Sequence, residues 1–121
     1  VRTLPDTIRT EDIDGRAIRR DEGGYLVDPD DWNEGVATHF AAEEGLVLGP
    51  EHFAVFAFMR GWLEEHGIMP DARFVFRDIA ARRGTGFEEA RRHFFELFPY
   101  GYVKQACKIA GMKQPRAWST G

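Results

Sequence analysis

Punctuation limits this chain more than any other feature. Asp28-Pro29, Gly45, Gly49-Pro50, Gly67, Pro70-Asp71, Gly84, Pro99, Gly101 and Gly111 divide most of it into short apolar-periodic segments. Proline suits the first turn of a helix, where its missing N–H would have had no partner, and glycine suits the position just past a helix end. The spacing therefore predicts several short helices. The longest apolar run, around Ala54 to Met59, falls far short of the roughly 20 residues a bilayer span needs. No membrane insertion is expected.

Within the segments the apolar residues recur at helical spacing. A first helix is predicted over about 29–44, with Asp28 as N-cap and Trp32, Val36 and Phe40 on one face. A second opens at Gly49-Pro50, runs through Phe53, Phe56, Ala57, Arg60 and Leu63, and closes at Gly67. A third begins near Asp71 with Phe74, Val75 and Ile79 inward and ends at Gly84. Thr85-Gly86-Phe87-Glu88 reads as a capping box for a fourth over about 86–98, and a short fifth is predicted over about 101–110. Before these helices, Ile13, Ala17 and Ile18 and then Tyr25 to Val27 read as two strands turning at Asp21-Glu22-Gly23-Gly24. Residues 1–12 and 112–121 show no period and read as a loose leader and a flexible C-terminal arm. The expected fold is mainly α: one domain over 13–111, a small orthogonal bundle of about five helices with an N-terminal β-hairpin.

With 43% hydrophobic and 13% aromatic residues in 121, the chain can bury a core and is too apolar for a disordered polymer. Its net charge of −4 conceals a division. Residues 1–72 hold 6 Lys/Arg against 16 Asp/Glu, a net −10, while residues 73–121 hold 10 against 4, a net +6. A basic half can serve an acidic partner or nucleic acid, or it can meet the acidic half inside one fold. Arg82, Arg83, Arg91 and Arg92 flank Gly84-Thr85-Gly86 between two predicted helices, a geometry compatible with a helix-turn-helix lying on DNA phosphates.

Cys107 is the only cysteine, so the chain can form no internal disulfide. The absence of a secretory leader pattern and the lone thiol point to a reducing cytoplasm. Cys107 is the one strong nucleophile; Lys104 and Lys108 would favour its thiolate, and the negative end of a short helix would oppose it. The four histidines lack paired ligand spacing, no glycine-rich loop follows a strand, and no serine sits in a nucleophile elbow. Neither a metal nor a cofactor is expected. The acidic pairs Glu43-Glu44 and Glu64-Glu65 read as solvated helix faces.

The segment Leu97-Phe98-Pro99-Tyr100-Gly101, followed by Lys104-Gln105-Ala106-Cys107-Lys108-Ile109-Ala110-Gly111, closely resembles the C-terminal block of the DsrC/TusE family. Gly24-Tyr25-Leu26, Asp31-Trp32, Ala42-Glu43-Glu44-Gly45 and the stretch from Leu48 to His52 extend the match to about 90 residues. The resemblance implies a small helical fold with an N-terminal hairpin and a role in sulfur handling. TusE-like members pass persulfide sulfur toward tRNA thiolation; DsrC-like members associate with dissimilatory sulfite reductase and carry sulfur between two cysteines. Cys107 matches the first of those cysteines. The second would fall eleven residues later, where this chain has Trp118. Tyr102 replaces a proline of the family block, and Met112-Lys113-Gln114-Pro115 replaces Leu-Pro-Lys-Pro.

These features imply a protein that docks on sulfur-relay or sulfite-reductase partners through its last helix and arm, with Lys104, Gln105, Lys108, Pro115 and Trp118 as contacts. Cys107 would be at most a single-thiol carrier. The alternatives are a DNA-binding regulator of sulfur-metabolism genes, acting through the four arginines, and a structural subunit anchored by Trp118.

Overall fold

The computed structural model describes residues 7–113. Strands β1 (Arg9–Ile13) and β2 (Arg16–Arg20) form an antiparallel hairpin, followed by a 3₁₀ turn (Pro29–Asp31) and helices α1 (Glu34–Glu43), α2 (Pro50–His66), α3 (Ala72–Arg83) and α4 (Phe87–Leu97). A π-helix over Tyr102–Cys107, the terminal helix below, completes a five-helix fold.

The hairpin is real but turns elsewhere than expected. Arg9 pairs with Arg20 and Ile13 with Arg16 across Asp14-Gly15, whose φ values of 54° and 79° are those of a tight primed turn. β1 thus occupies part of the stretch expected to be loose leader. Its sequence, Arg-Thr-Glu-Asp-Ile, alternates too weakly to read as a strand because only Ile13 enters the core. The Asp21–Gly24 turn also forms: Asp21 Oδ1 accepts from the amides of Gly23 and Tyr25. It returns the chain to β2 through one bridge, Arg20 to Leu26, rather than through a second strand.

The predicted first helix is broken in two. Asp28 does cap its start, accepting from the Asp30 amide. Trp32 and Asn33 then adopt extended backbone, and Asn33 caps α1 afresh by accepting from the Val36 amide at 2.9 Å. Two good N-caps five residues apart cannot both belong to one helix, because a cap is by definition outside it. The ends of α2 and α3 fall where the punctuation put them: Gly67 and Gly84 are left-handed caps, and Asp71 accepts from the Arg73 amide. The expected capping box at Thr85 does not form. Gly86 is the N-cap of α4 and contributes no side chain, while the Thr85 hydroxyl turns to the Gly86 carbonyl.

The core is aromatic and lies among α2, α3, α4 and the terminal helix. Phe94 packs against Phe76 at 5.2 Å and Phe98 at 5.1 Å, and Phe98 meets Phe56 at 5.7 Å. On α3 the inward residues are Val75, Phe76 and Ile79; Phe74, expected inside, is only half-buried. Phe87 is exposed at the start of α4. The hairpin joins this body through Arg20, a fully buried cation held by Glu11 at 2.6 Å, by Glu43 at 2.8 Å, and against the Phe40 ring. Residues 112–113 are described, and the rest of the expected arm lies outside the described residues.

Candidate functional site

The terminal helix starts at Gly101, whose φ of 92° only glycine adopts without strain. Its winding is wide: the Ala106 amide donates to the Gly101 carbonyl, five residues back. Lys108 and Ile109 return to α geometry, and Gly111, at φ 77°, ends the helix as the Met112 amide donates to the Cys107 carbonyl. Tyr102, Gln105, Ala106, Cys107, Ile109, Ala110 and Met112 are all buried. A short helix covered on nearly every side belongs to the interior. Lys104 is its exposed residue, with Val103 and Lys108 half-buried.

Cys107 is completely enclosed. Its Sγ lies 3.4 Å from Met69 Sδ, and the Tyr102 side chain hydrogen-bonds it. Tyr102 itself donates to the Pro70 carbonyl at 2.5 Å. Burial pushes the thiol far above its ordinary value, against a small opposing effect from Tyr102. Of the lysines expected to favour the thiolate, Lys108 is committed elsewhere. Its Nζ lies 3.3 Å from Glu44 and 5.7 Å from the Tyr25 ring centre. Burial and the neighbouring thiolate and carboxylate charges push the Tyr25 hydroxyl up to about 12, so it remains a donor, to the Val103 carbonyl at 2.8 Å.

Gln105 and Lys108, expected as partner contacts, are turned inward together. Gln105 Nε2 donates to Glu44 at 2.7 Å, and Gln105 Oε1 accepts from the Tyr100 amide. Glu44 is therefore an internal acceptor rather than a solvated face, and Glu43 is spent on Arg20. Pro115 and Trp118 lie outside the described residues. Residue patterns gave no sign of the groups that hold the end of the terminal helix. Arg60 of α2 donates to the carbonyls of Ala110 at 2.7 Å and Pro29 at 2.6 Å, and its guanidinium lies 4.5 Å from the Trp32 ring centre. Trp32 donates from Nε1 to the Ile109 carbonyl at 2.8 Å. Together they clamp the point from which the C-terminal segment departs. The spacing puts Trp32 and Arg60 on faces of the first and second predicted helices and links neither to the terminal helix.

The four arginines of the DNA reading are all exposed, and three of them have partners within the fold. Arg82 pairs with Asp78 at 2.8 Å and Arg83 with Glu51 at 3.2 Å; Arg91 covers Phe95, and Arg92 is exposed. Glu11, His39 and Glu43 place ligand atoms within 4.8 Å of one another, a juxtaposition the histidine spacing did not reveal. The Arg20 guanidinium already satisfies both carboxylates, so a metal ion there would meet a fixed positive charge.

The chain is similar to known proteins along nearly all of its length. The family model for DsrC like protein matches residues 12–117. Sulfurtransferase TusE of Pectobacterium atrosepticum is 36% identical over 104 residues, covering 86% of this chain and 94% of that protein. Sulfurtransferase TusE of Escherichia coli K12 is 36% identical over 103 residues, covering 85% and 94%. Among solved structures, DsrC of Allochromatium vinosum superposes with a TM-score of 0.79 at 34% identity, over 93% of this chain and 100% of that one. The oxidized gamma-subunit of the dissimilatory sulfite reductase (DsrC) from Archaeoglobus fulgidus gives 0.77 at 27%, over 92% and 100%. The hairpin, the buried terminal helix with its Lys-Gln-Ala-Cys-Lys-Ile-Ala-Gly sequence, and these matches lead to one conclusion: the chain belongs to the DsrC/TusE family of sulfur-relay proteins.

Proposed function

We propose that this protein serves a sulfur-relay or sulfite-reductase system chiefly by docking, through the terminal helix and the C-terminal arm, with Cys107 carrying sulfur at most transiently. The observation that carries the reading is the complete enclosure of the chain's only thiol. Loading would require the Cys107 thiolate to attack the outer sulfur of a donor persulfide, so that the donor's own thiolate departs and a Cys107 persulfide remains. Such an attack needs both access and thiolate, and burial withholds both. A trisulfide within the chain needs a second thiol, and position 118 is tryptophan. Lys104 supplies the exposed charge on the terminal helix, and the arm supplies Pro115 and Trp118. The reducing cytoplasm suits a lone thiol that has no partner to oxidise with.

Intact mass measurement after incubation with a persulfidated donor tests this, beside Cys107→Ser. The expected result is no gain of sulfur on the native chain, and alkylation of Cys107 only after unfolding. A native chain that gains and keeps one sulfur atom, where Cys107→Ser gains none, would make it a stable single-thiol carrier and overturn the reading that docking is its chief role.

A further inference from the structure

The chain has three methionines, Met59, Met69 and Met112, and the fold treats them differently. Met59 and Met112 are enclosed in the core at 0% and 2% exposure, whereas Met69 is half-buried. Met69 also lies outside any helix, in the short connection between α2 and α3, beside Ile68, which is 67% exposed. Its side chain can therefore turn outward without unwinding a helix.

On its inner side Met69 covers the chain's only thiol. The Cys107 S–H donates to Met69 Sδ across 3.4 Å, and the next residue, Pro70, accepts from the Tyr102 hydroxyl at 2.5 Å. One residue thus touches both solvent and an otherwise enclosed sulfur. A thioether needs no ionisation to be oxidised: an oxygen of hydrogen peroxide bonds to a sulfur lone pair, the O–O bond breaks, Sδ gives up two electrons, and the rest of the peroxide leaves as water. The product carries a polar oxygen where apolar surface was packed. Facing it would be the thiol S–H, a weak donor, and a Tyr102 hydroxyl already given to Pro70. A buried acceptor without a strong donor is costly, so the oxidised side chain leaves for solvent.

We propose that Met69 is a peroxide-sensitive modification site and that its conversion to the sulfoxide uncovers Cys107. Burial spares Met59 and Met112, and enclosure spares the thiol while its cover is being oxidised. Methionine sulfoxide is reversible by dedicated reductases, so access to Cys107 becomes a two-state property of the connection between α2 and α3. Sulfur loading of an uncovered Cys107 rests on the transient-carrier reading above. The uncovering does not, and it is measured with an alkylating probe and no sulfur donor.

The test treats the folded full chain briefly with hydrogen peroxide, quenches it, and follows iodoacetamide labelling of Cys107 by mass spectrometry, with peptide mapping to locate added oxygen. The expected result is one oxygen on Met69 and none on Met59, Met112 or Cys107. Labelling should then run at least about tenfold faster, the equivalent of about 1.4 kcal/mol off the opening free energy, and methionine sulfoxide reductase should restore the slow rate. Met69→Leu, a swap of similar volume, should gain no oxygen at position 69 and label slowly after peroxide. Met69→Gln, polar from the start, should label fast without it. Oxygen on Met59 or Met112 as readily as on Met69, or labelling indifferent to Met69 oxidation, would overturn the proposal. So would faster labelling of peroxide-treated Met69→Leu, or an acceleration accompanied by loss of amide protection in α2 and α4, which would assign it to general unfolding.

Discussion

Gly111 shows how one atom can be forbidden by two independent causes. Its φ of 77° lies where an L side chain is strained, and a Cβ there would overlap the Trp32 ring. Trp32 cannot easily yield, because its indole is bonded to the Ile109 carbonyl and covered by Arg60. Gly111→Ala should therefore cost at least about 2 kcal/mol, more than backbone strain alone, read as a lower urea midpoint with an unchanged slope. The sequence already marked Gly111 as a helix stop. That it also faces an indole from 79 positions earlier in the chain was not legible, because nothing local links a loop tryptophan to a distant helix end.

At the scale of the element, α2 depends on a histidine at its start. The Gly49 amide donates to His52 Nδ1 at 3.1 Å, which requires that nitrogen to be unprotonated; Nε2 then donates to the Leu97 carbonyl at 3.0 Å. Burial, the largest cause, holds the imidazole below its ordinary value of 6.5, outweighing the Leu97 bond. The unfolded chain then binds the proton more readily than the folded one. The stability this supplies is complete above pH 6.5 and declines as pH falls from 6.5 toward the lowered folded value. A urea midpoint measured across that interval should fall in the native chain and fall less in His52→Gln, which cannot charge. Loss of the cap costs about 1 kcal/mol in either case. The helix ends themselves were legible, since glycine and proline act through their own φ and N–H. The first helix and the Thr85 box were misread because several neighbouring residues could cap, and tertiary contacts chose among them.

For the whole molecule, Arg20 joins the hairpin to the helical body. Its guanidinium contacts Glu11 of β1, Glu43 of α1, the Gly24 carbonyl and the Phe40 ring. Arg20→Met keeps the apolar stem and removes the charge, leaving Glu11 and Glu43 facing each other. Breaking a buried pair costs about 3–5 kcal/mol, but these carboxylates are 29% and 40% exposed, so about 2 kcal/mol is expected. The loss should appear as faster amide exchange throughout β1 and β2, ahead of the α2–α4 core. No spacing or motif singles out Arg20 in the sequence; its burial gives it this role. The same holds for Cys107: from sequence its neighbouring lysines and the helix end pull the thiolate in opposite directions, and the fold decides by turning Lys108 to Glu44 and enclosing the sulfur.

Sequence alone determined the helix count, most helix ends, the presence of a hairpin and, through one specific eight-residue block, the family. Those features depend on backbone preferences and on residue order. Tertiary structure alone decided where the hairpin turns, which residues clamp Gly111, which of Lys104, Gln105 and Lys108 faces solvent, and whether Cys107 can react. Access, pairing and pKa depend on which distant groups arrive within a few ångströms, and no local spacing encodes that.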